Sequence, residues 1–316
     1  MKILANDGIS QSGIDDLTTA GFKVLTTTVA QEQLVTFINS ENIVALLVRS
    51  ATTVRQDLID ACPGLKIIGR GGVGMDNIDV AYAREKGLNV INTPAASSES
   101  VAELVFAHLF SGVRFLYDSN RSMPLEGEKK FKNLKKAYAK GTELRGKTLG
   151  VIGFGRIGQA TAKMALGLGM KVIAFDPFME KTTVSLSFYD GQTVDFEIKT
   201  VSKETVLKES DFITLHVPAQ KDFVIGEVEL EMMKDGAALI NAARGGVVNE
   251  VALVAALDAD KLSFAGLDTF ENEPTPAVQI LMNSKISLTP HIGAATNQAQ
   301  DRIGSELASQ IISILK

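Results

Sequence analysis

The stretch "GVIGFGRIGQATAKMALGLGMKVIAFDP", residues 150–177, decides the fold of this chain. It places the glycines Gly153-x-Gly155-x-x-Gly158 between an apolar run and a segment of helical spacing, and its second apolar run ends at Asp176. Glycines so spaced allow a tight strand-to-helix turn, close approach of a pyrophosphate to the backbone, and close packing of helix on strand. The stretch therefore predicts a βαβ unit that binds a dinucleotide at the N-terminus of its helix.

Asp176 also indicates which dinucleotide is bound. A carboxylate at the end of the second strand accepts hydrogen bonds from both hydroxyls of the adenosine ribose, and it repels a 2′-phosphate. This acid therefore favours NAD over NADP as the cofactor.

The rest of the chain repeats the alternation of strand and helix. Apolar runs such as "KILAND", "VALLVRS" and "LKIIGR" occur before residue 95, and "SDFITLHVP", "AALINAARG" and "FAGLDTF" follow the glycine stretch. This rhythm indicates parallel sheets, and 316 residues exceed the usual size of one domain. We expect an α/β fold with a continuous doubly wound domain at 96–287. Residues 1–95 and 288–316 would form a discontinuous second domain, closed by the terminal helix.

Three segments interrupt this rhythm. "SSESVAELVFAHLFSGVRFLYDSNR" has helical spacing and predicts a long helix that bridges the two domains. The lysine-rich residues 129–147 are expected to form a connection after it. Residues 183–202 alternate apolar and polar side chains on either side of Asp190-Gly191, which predicts an inserted β-hairpin.

Composition and charge exclude several classes of protein. Hydrophobic residues make up 45% of the chain, yet no apolar run is long enough to cross a bilayer, and the N-terminus lacks a signal-peptide pattern. The single cysteine, Cys62, excludes an intramolecular disulfide, and a net charge of −5 argues against a nucleic-acid partner. We expect a cytoplasmic protein with a small-molecule substrate and no membrane partner, nucleic acid or metal.

Three polar residues each follow an apolar strand candidate: Arg244, Glu273 and His291. In a parallel sheet they would lie at the carboxyl edge, where such sheets bind ligands. Singly, each has a structural explanation, as a helix-cap cation, a solvated loop charge and a capped turn. Together they meet the needs of hydride transfer at C2 of a 2-hydroxy acid: a base for the hydroxyl proton, a carboxylate that orients it, and a cation for the substrate carboxylate.

The glycine loop, Asp176, "NAARGGVVNE", "GLDTFENEP" and "PHIGAAT", in this order, resemble the D-isomer-specific 2-hydroxyacid dehydrogenase family over essentially the whole chain. The resemblance implies a Rossmann-type NAD domain, a flavodoxin-like substrate domain, and a homodimer joined through the NAD domains. It implies that Arg244, Glu273 and His291 are the catalytic arginine, glutamate and histidine.

The resemblance also implies a set of cofactor contacts. They are Gly153, Gly155, Arg156, Ile157, Gly158, Asp176, His216, Val217, Pro218, Ala242, Ala243, Arg244, Asp268, His291, Gly293 and Ala294. His216 would line the cofactor cleft without transferring a proton. His108, on the apolar bridging helix, is expected to be a packed histidine.

Within the family, "LVRSATTV" and "IIGRGGVGMDNIDV" are most similar to the D-3-phosphoglycerate dehydrogenase branch. The similarity implies oxidation of D-3-phosphoglycerate to 3-phosphohydroxypyruvate at the head of serine synthesis. Arginines 49 and 70 would face the substrate phosphate, and the alternative is that they form surface salt bridges. The implied substrate-binding set is Arg49, Ser50, Arg70, Gly72, Val73, Arg244 and His291.

Two other functions remain open from the sequence. A glyoxylate or hydroxypyruvate reductase would need no phosphate cluster, and an NAD-sensing corepressor would share the fold and the three polar residues. Corepressors of this kind usually carry disordered tails; since this sequence starts in a predicted strand and ends in a predicted helix, we expect none here. Because the chain stops at Lys316, directly after a helix, we expect no C-terminal serine-sensing domain.

Overall fold

The computed structural model describes residues 1–316, which divide into two compact units. The first unit comprises residues 1–100 and 294–316, and the second comprises residues 101–293. The boundaries expected from the sequence, after residues 95 and 287, each lie a few residues earlier. Assignment of the units to substrate and to NAD stays a prediction from sequence.

The first unit is built on a five-stranded parallel sheet with the flavodoxin-like strand order β2-β1-β3-β4-β5. Its core strand β3 is buried along nearly its whole length, as expected when helices cover both faces. The strands are β1 (Lys2–Ala5), β2 (Lys23–Leu25), β3 (Ile43–Val48), β4 (Ile67–Arg70) and β5 (Asn89–Asn92). The helices are α1 (Gln11–Thr19), α2 (Leu34–Glu41), α3 (Gln56–Ala61) and α4 (Val80–Glu85). A 3₁₀ turn at Gln31–Gln33 precedes α2.

Two consecutive helices, α5 (Ser98–Val113) and α6 (Leu116–Ala137), open the second unit, and the first three residues of α5 belong to the first unit. Its six-stranded parallel sheet has the order β13-β12-β11-β10-β6-β7. The strands are β6 (Thr148–Ile152), β7 (Lys171–Phe175), β10 (Phe212–Leu215), β11 (Ala237–Asn241), β12 (Leu262–Leu267) and β13 (Ile286–Leu288). The further helices are α7 (Arg156–Gly167), α8 (Lys203–Glu209), α9 (Glu227–Met232), α10 (Glu250–Asp258) and α11 (Val278–Met282).

Both faces of this second sheet are covered. Along β11, Leu239 belongs to one buried apolar cluster, whereas its neighbours Ala238 and Ile240 belong to another. Because successive strand residues point to opposite faces, the two clusters lie on opposite sides of the sheet. The predicted doubly wound α/β fold is confirmed. Chain order reverses between β6 and its neighbour β10, and ligands of such sheets bind at this switch point.

A two-stranded antiparallel hairpin, β8 (Lys181–Ser187) and β9 (Thr193–Lys199), lies between β7 and α8. Its loop spans residues 188–192, and Gly191 there has a φ of 85°. Thr200 forms a single parallel bridge to Ala174 of β7. The hairpin therefore occupies the position at which a doubly wound sheet would continue beyond β7.

The lysine-rich residues 129–147 differ from the expected connection, because α6 continues through them to Ala137. No residue of α6 is buried, and its backbone leaves helical geometry only at Lys130. Because α6 buries no residue and is rich in lysine, its second half resembles a solvated connection in the sequence.

The C-terminal helix α12 (Asn297–Leu315) completes the first unit. Thr296 caps it by accepting a hydrogen bond from the N–H of Ala299 (3.2 Å). It packs on α1 where Gly13 faces Gly304, and a Cβ atom at Gly13 would lie 2.8 Å from the Gly304 carbonyl carbon. Neither unit contains a helix with the length and hydrophobicity needed to span a membrane.

Candidate active site

The turn between β6 and α7 leaves open space beside its backbone. Gly153 has a φ of 90°, and a Cβ atom there would collide with the carbonyl oxygen of His216. A Cβ atom at Gly158 would collide with the carbonyl oxygen of Gly153, so helix and strand are in close contact. At Gly155, by contrast, nothing lies within 4 Å of that position, and α7 starts at Arg156 without a side-chain cap. The N–H groups of this helix start are therefore suited to a pyrophosphate.

Asp176 follows β7 and is held by two backbone groups. Its Oδ2 accepts from the N–H of Phe154 (2.8 Å), and its Oδ1 accepts from the N–H of Phe178 (2.9 Å). Each carboxylate oxygen has two lone-pair sites, so both can still accept from a ribose hydroxyl. The carboxylate is thus anchored to the glycine turn and retains the acceptors that an NAD ribose requires.

His216, Val217 and Pro218 follow β10, next to β6 at the same sheet edge. The Nε2 of His216 lies 3.2 Å from Oγ1 of Thr161 and 3.1 Å from Oγ1 of Thr214. Burial lowers the pKa of His216 to about 3, because desolvation disfavours the imidazolium. The ring is therefore neutral near pH 7, which is compatible with a lining role and not with donation of a proton.

Arg244 lies in a tight turn after β11, following Ala242 and Ala243. The side chain of Asn241 shapes this turn: its Nδ2 donates to the carbonyl of Arg244 (2.9 Å), and its Oδ1 accepts from the N–H of Ala243 (3.1 Å). At Gly245, a Cβ atom would collide with the carbonyl oxygen of Phe270. The backbone that carries Arg244 thus touches the loop after β12, which carries Glu273.

Glu273 and His291 are in direct contact. Nδ1 of His291 lies 2.7 Å from Oε2 of Glu273, while Oε1 of Glu273 accepts from the N–H of Phe270 (3.0 Å). Because a carboxylate oxygen only accepts, Nδ1 carries the proton of this contact, which leaves Nε2 as the ring nitrogen that can exchange a proton with a substrate. The His291 side chain is 44% exposed, so a substrate can reach that nitrogen.

Asp268 holds the loop on both sides of His291. Its Oδ1 accepts from the N–H of Ile292 (2.8 Å) and from the hydroxyl of Thr289 (2.6 Å), and its Oδ2 accepts from the N–H of Gly293 (2.8 Å). His291 itself has a φ of 54°, which is rare for a residue with a side chain. Ala294, another expected cofactor residue, belongs to the first unit, and its carbonyl accepts from Nε2 of Gln300 (2.6 Å).

The expected substrate residues of the first unit lie at neighbouring strand ends. Arg49 and Ser50 follow β3, Arg70 ends β4, and Val48 pairs with Arg70 across the two strands. Burial lowers the pKa of the Arg49 guanidinium, while the charge of Asp7 raises it. The arginines at 49 and 70 therefore share one carboxyl edge.

Glycine is required beside the second of these arginines. Nη1 of Arg70 donates to the carbonyl of Gly71 (2.6 Å), and the next residue, Gly72, has a φ of 149°, a conformation that residues with side chains rarely adopt. Val73 follows with 37% of its surface exposed.

Asp7 organises the Arg49 loop, and the sequence reading missed it. Its Oδ2 accepts from the N–H of Arg49 (2.6 Å) and of Thr52 (3.0 Å), and Nδ2 of Asn77 donates to the Arg49 carbonyl (2.7 Å). Asp7 lies just beyond the carboxyl end of β1. The rule that selected polar residues at strand ends would have selected it as well.

This chain is similar to known proteins over its full length. Residues 106–293 match the D-isomer specific 2-hydroxyacid dehydrogenase, NAD binding domain. A hydroxypyruvate reductase from Thermotoga maritima is 45% identical over 85% of this chain and 84% of its own length. A D-3-phosphoglycerate dehydrogenase from Archaeoglobus fulgidus is 39% identical over 100% of this chain, which spans 58% of that protein.

A crystal structure of D-lactate dehydrogenase from Aquifex aeolicus, complexed with NAD and lactic acid, has 30% identity and a TM-score of 0.75. The similarity covers 100% of this chain and 95% of that one. These matches confirm the family and the NAD cofactor that the motifs predicted. The chain belongs to the D-isomer specific 2-hydroxyacid dehydrogenase family and is an NAD-dependent enzyme of that family.

Proposed function

We propose that this enzyme oxidises D-3-phosphoglycerate to 3-phosphohydroxypyruvate with NAD. The observation that carries the proposal is the position of Arg49 and Arg70 at neighbouring ends of β3 and β4. The overall charge of −5 repels a phosphorylated acid, so its phosphate needs a local cluster of fixed cations. Since burial disfavours the charged form of Arg49, a bound anion would stabilise it.

The residues of the second unit would perform the chemistry at C2. Nε2 of His291 takes the hydroxyl proton, while Glu273 keeps the ring in position through Nδ1. Arg244 binds the substrate carboxylate; its Nη1 donates to the carbonyl of Ala243, and a guanidinium has five N–H donors. NAD, when bound at the glycine turn, supplies the nicotinamide carbon that accepts the hydride.

Cofactor choice and assembly complete the proposal. The carboxylate of Asp176, anchored to the glycine turn, would exclude the 2′-phosphate of NADP. We propose a homodimer joined through the second unit, in the cytoplasm, serving serine biosynthesis. Support for the dimer comes from large apolar side chains that α6 leaves exposed: Leu116, Met123, Leu125 and Phe131. Sedimentation of the purified protein tests this association.

The second candidate function is reduction of unphosphorylated hydroxypyruvate. It is favoured by the Thermotoga maritima hydroxypyruvate reductase, whose length this chain matches more completely than that of the phosphoglycerate dehydrogenases.

A substrate panel separates the two candidates. Initial rates with 3-phosphohydroxypyruvate, hydroxypyruvate and glyoxylate would be measured with NADH and with NADPH. We expect kcat/KM for the phosphorylated substrate to exceed that for hydroxypyruvate by about 100-fold, because two guanidinium groups hold its phosphate. Equal values for both would instead assign the protein to the reductases.

A further inference from the structure

We infer that His108 is a positioning residue, which acts through a directional chain of hydrogen bonds on the loop that carries His291. The inference rests on the proposed role of His291 as the base. All the residues involved belong to the second unit.

His108 lies in the middle of α5 and is 2% exposed. Its Nδ1 is 2.9 Å from the hydroxyl of Ser287 on β13, and its Nε2 is 3.1 Å from the hydroxyl of Thr289 just beyond that strand. The helix can approach this closely because β12 has a glycine at 266, where a Cβ atom would lie 2.7 Å from Cβ of His108. Both ring nitrogens are therefore engaged by the strand end that leads to His291.

The direction of these hydrogen bonds follows from Asp268. Its carboxylate can only accept, so the Thr289 hydroxyl, 2.6 Å away, donates its proton to Oδ1. The Thr289 oxygen must then accept from His108, which fixes the proton of the ring on Nε2. Burial lowers the pKa of His108, so the ring is neutral and Nδ1 accepts from the hydroxyl of Ser287. A single tautomer of His108 satisfies all these partners: Ser287 donates to His108, His108 donates to Thr289, and Thr289 donates to Asp268.

This chain of hydrogen bonds ends on the backbone beside His291. Asp268 accepts from the N–H groups of Ile292 and Gly293, and the N–H of His291 donates to the Thr289 carbonyl (3.1 Å). A non-glycine residue with a φ of 54° persists only where its surroundings hold it there. His108 keeps Thr289 in place, and Thr289 and Asp268 keep this backbone in the conformation that places His291 against Glu273.

A packed histidine without this role would behave differently on substitution. Its replacement by leucine would lower stability but would leave the rate at saturating substrate unchanged, since only volume would matter. A positioning histidine is sensitive to hydrogen bonding at constant volume. The two possibilities therefore separate when polar and apolar replacements of His108 are compared.

The test combines His108→Leu, His108→Gln and Thr289→Val with Leu109→Ala as a control for lost packing on the same helix. We expect His108→Leu to lower kcat about tenfold with little change in the Kd for NADH measured by fluorescence titration. His108→Gln should recover most of that loss, because its amide supplies a donor and an acceptor. Leu109→Ala should lower the Tm without lowering kcat at 25 °C.

Two further measurements are independent of these rates: the energetic coupling between His108 and Thr289, and the tautomer of the His108 ring. The kcat of the double variant His108→Leu, Thr289→Val should be little lower than that of either single variant, because both residues act through the same chain of hydrogen bonds. The protein has only three histidines, so their ¹⁵N signals can be separated in spectra of the wild type, and His108 should be the neutral Nε2–H tautomer at pH 8. An Nδ1–H tautomer, additive losses, or equal rates in the leucine and glutamine variants would each overturn the inference. The tautomer is read without turnover, so failure of the proposed function at His291 would be recognised separately.

Discussion

Nδ1 of His291 lies 2.7 Å from a carboxylate oxygen of Glu273, and the second oxygen of that carboxylate is held by the backbone N–H of Phe270. The glutamate and the histidine lie in the loops that follow adjacent strands, β12 and β13, so the sheet brings the two loops to the same edge. The orientation of the imidazole is therefore fixed before any substrate binds.

Replacement of His291 by asparagine should abolish most turnover. Asparagine tolerates the φ of 54° at this position better than alanine does, so the loop should keep its conformation. Loss of the base should reduce kcat at least about 100-fold, while the Kd for NADH stays within about twofold because the imidazole acts on the proton in transfer and not on the bound cofactor. If the affinity for NADH falls as far as the rate, the histidine is structural.

Glu273→Gln should lower kcat with little effect on NADH binding. The glutamine oxygen can still accept from Phe270, but the anionic acceptor for Nδ1 of His291 is lost and the ring loses its fixed orientation. We expect a decrease of about tenfold or more, measured under saturating substrate and cofactor. An unchanged kcat would show that this contact has no part in catalysis.

Asp176→Asn should relax the discrimination between the two nucleotides. Asparagine keeps one oxygen to accept from a backbone N–H of the glycine turn, but it removes the charge that opposes a 2′-phosphate. We expect kcat/KM for NADPH to rise relative to NADH by about tenfold. A wild-type enzyme that already uses both nucleotides equally would contradict this role for the acid.

Arg70→Met should raise the KM for 3-phosphohydroxypyruvate by about 30-fold, since truncating one partner of a charge pair costs about 2 kcal/mol or more. Reduction of hydroxypyruvate should hardly change, because it has no phosphate. Arg84→Met, at an exposed position on α4 of the same unit, is the matched control and should alter neither. Equal losses on both substrates would place Arg70 at the shared carboxylate or in support of the fold.

The buried His216 should make the protein less stable in acid. Its folded pKa is about 3, below an unfolded value of about 6.5, so the unfolded chain binds the proton more readily. Stability is thus fully present above about pH 6.5, and it falls by up to about 1.4 kcal/mol per pH unit as the pH decreases towards 3. Urea unfolding at pH 7, 5.5 and 4.5 measures this slope, which should be smaller in His216→Gln. An identical slope in both proteins would mean that His216 does not titrate on unfolding.

Local patterns accounted for the parts of the site that depend on neighbours in sequence. Gly153, Gly155, Gly158 and Asp176 form one continuous βαβ unit, so their spacing alone indicates the turn and its ligand. The proximity of His291 and Glu273 was predicted from topology, because the carboxyl ends of parallel strands lie at the same edge of a sheet.

Features that depend on distant pairing were not readable from sequence. His108 meets Ser287 and Thr289 across 179 and 181 residues, and the only local signal was an apolar helix, which predicts packing. Helix α6 buries no residue, so the lysines at 129–137 resembled a connection. Interactions of this kind become visible only when the fold is known.

The return of α12 to the first unit has a consequence for synthesis on the ribosome. Ile3 and Ala5 of β1 are buried in the same cluster as Ala308 and Ile311 of α12, so this core cannot close until α12 has been made. The intervening unit, residues 101–293, is contiguous and can fold as soon as it emerges. During elongation this face of the first sheet is therefore covered only in part, by α1, and such transiently exposed apolar surface makes a nascent protein prone to aggregation.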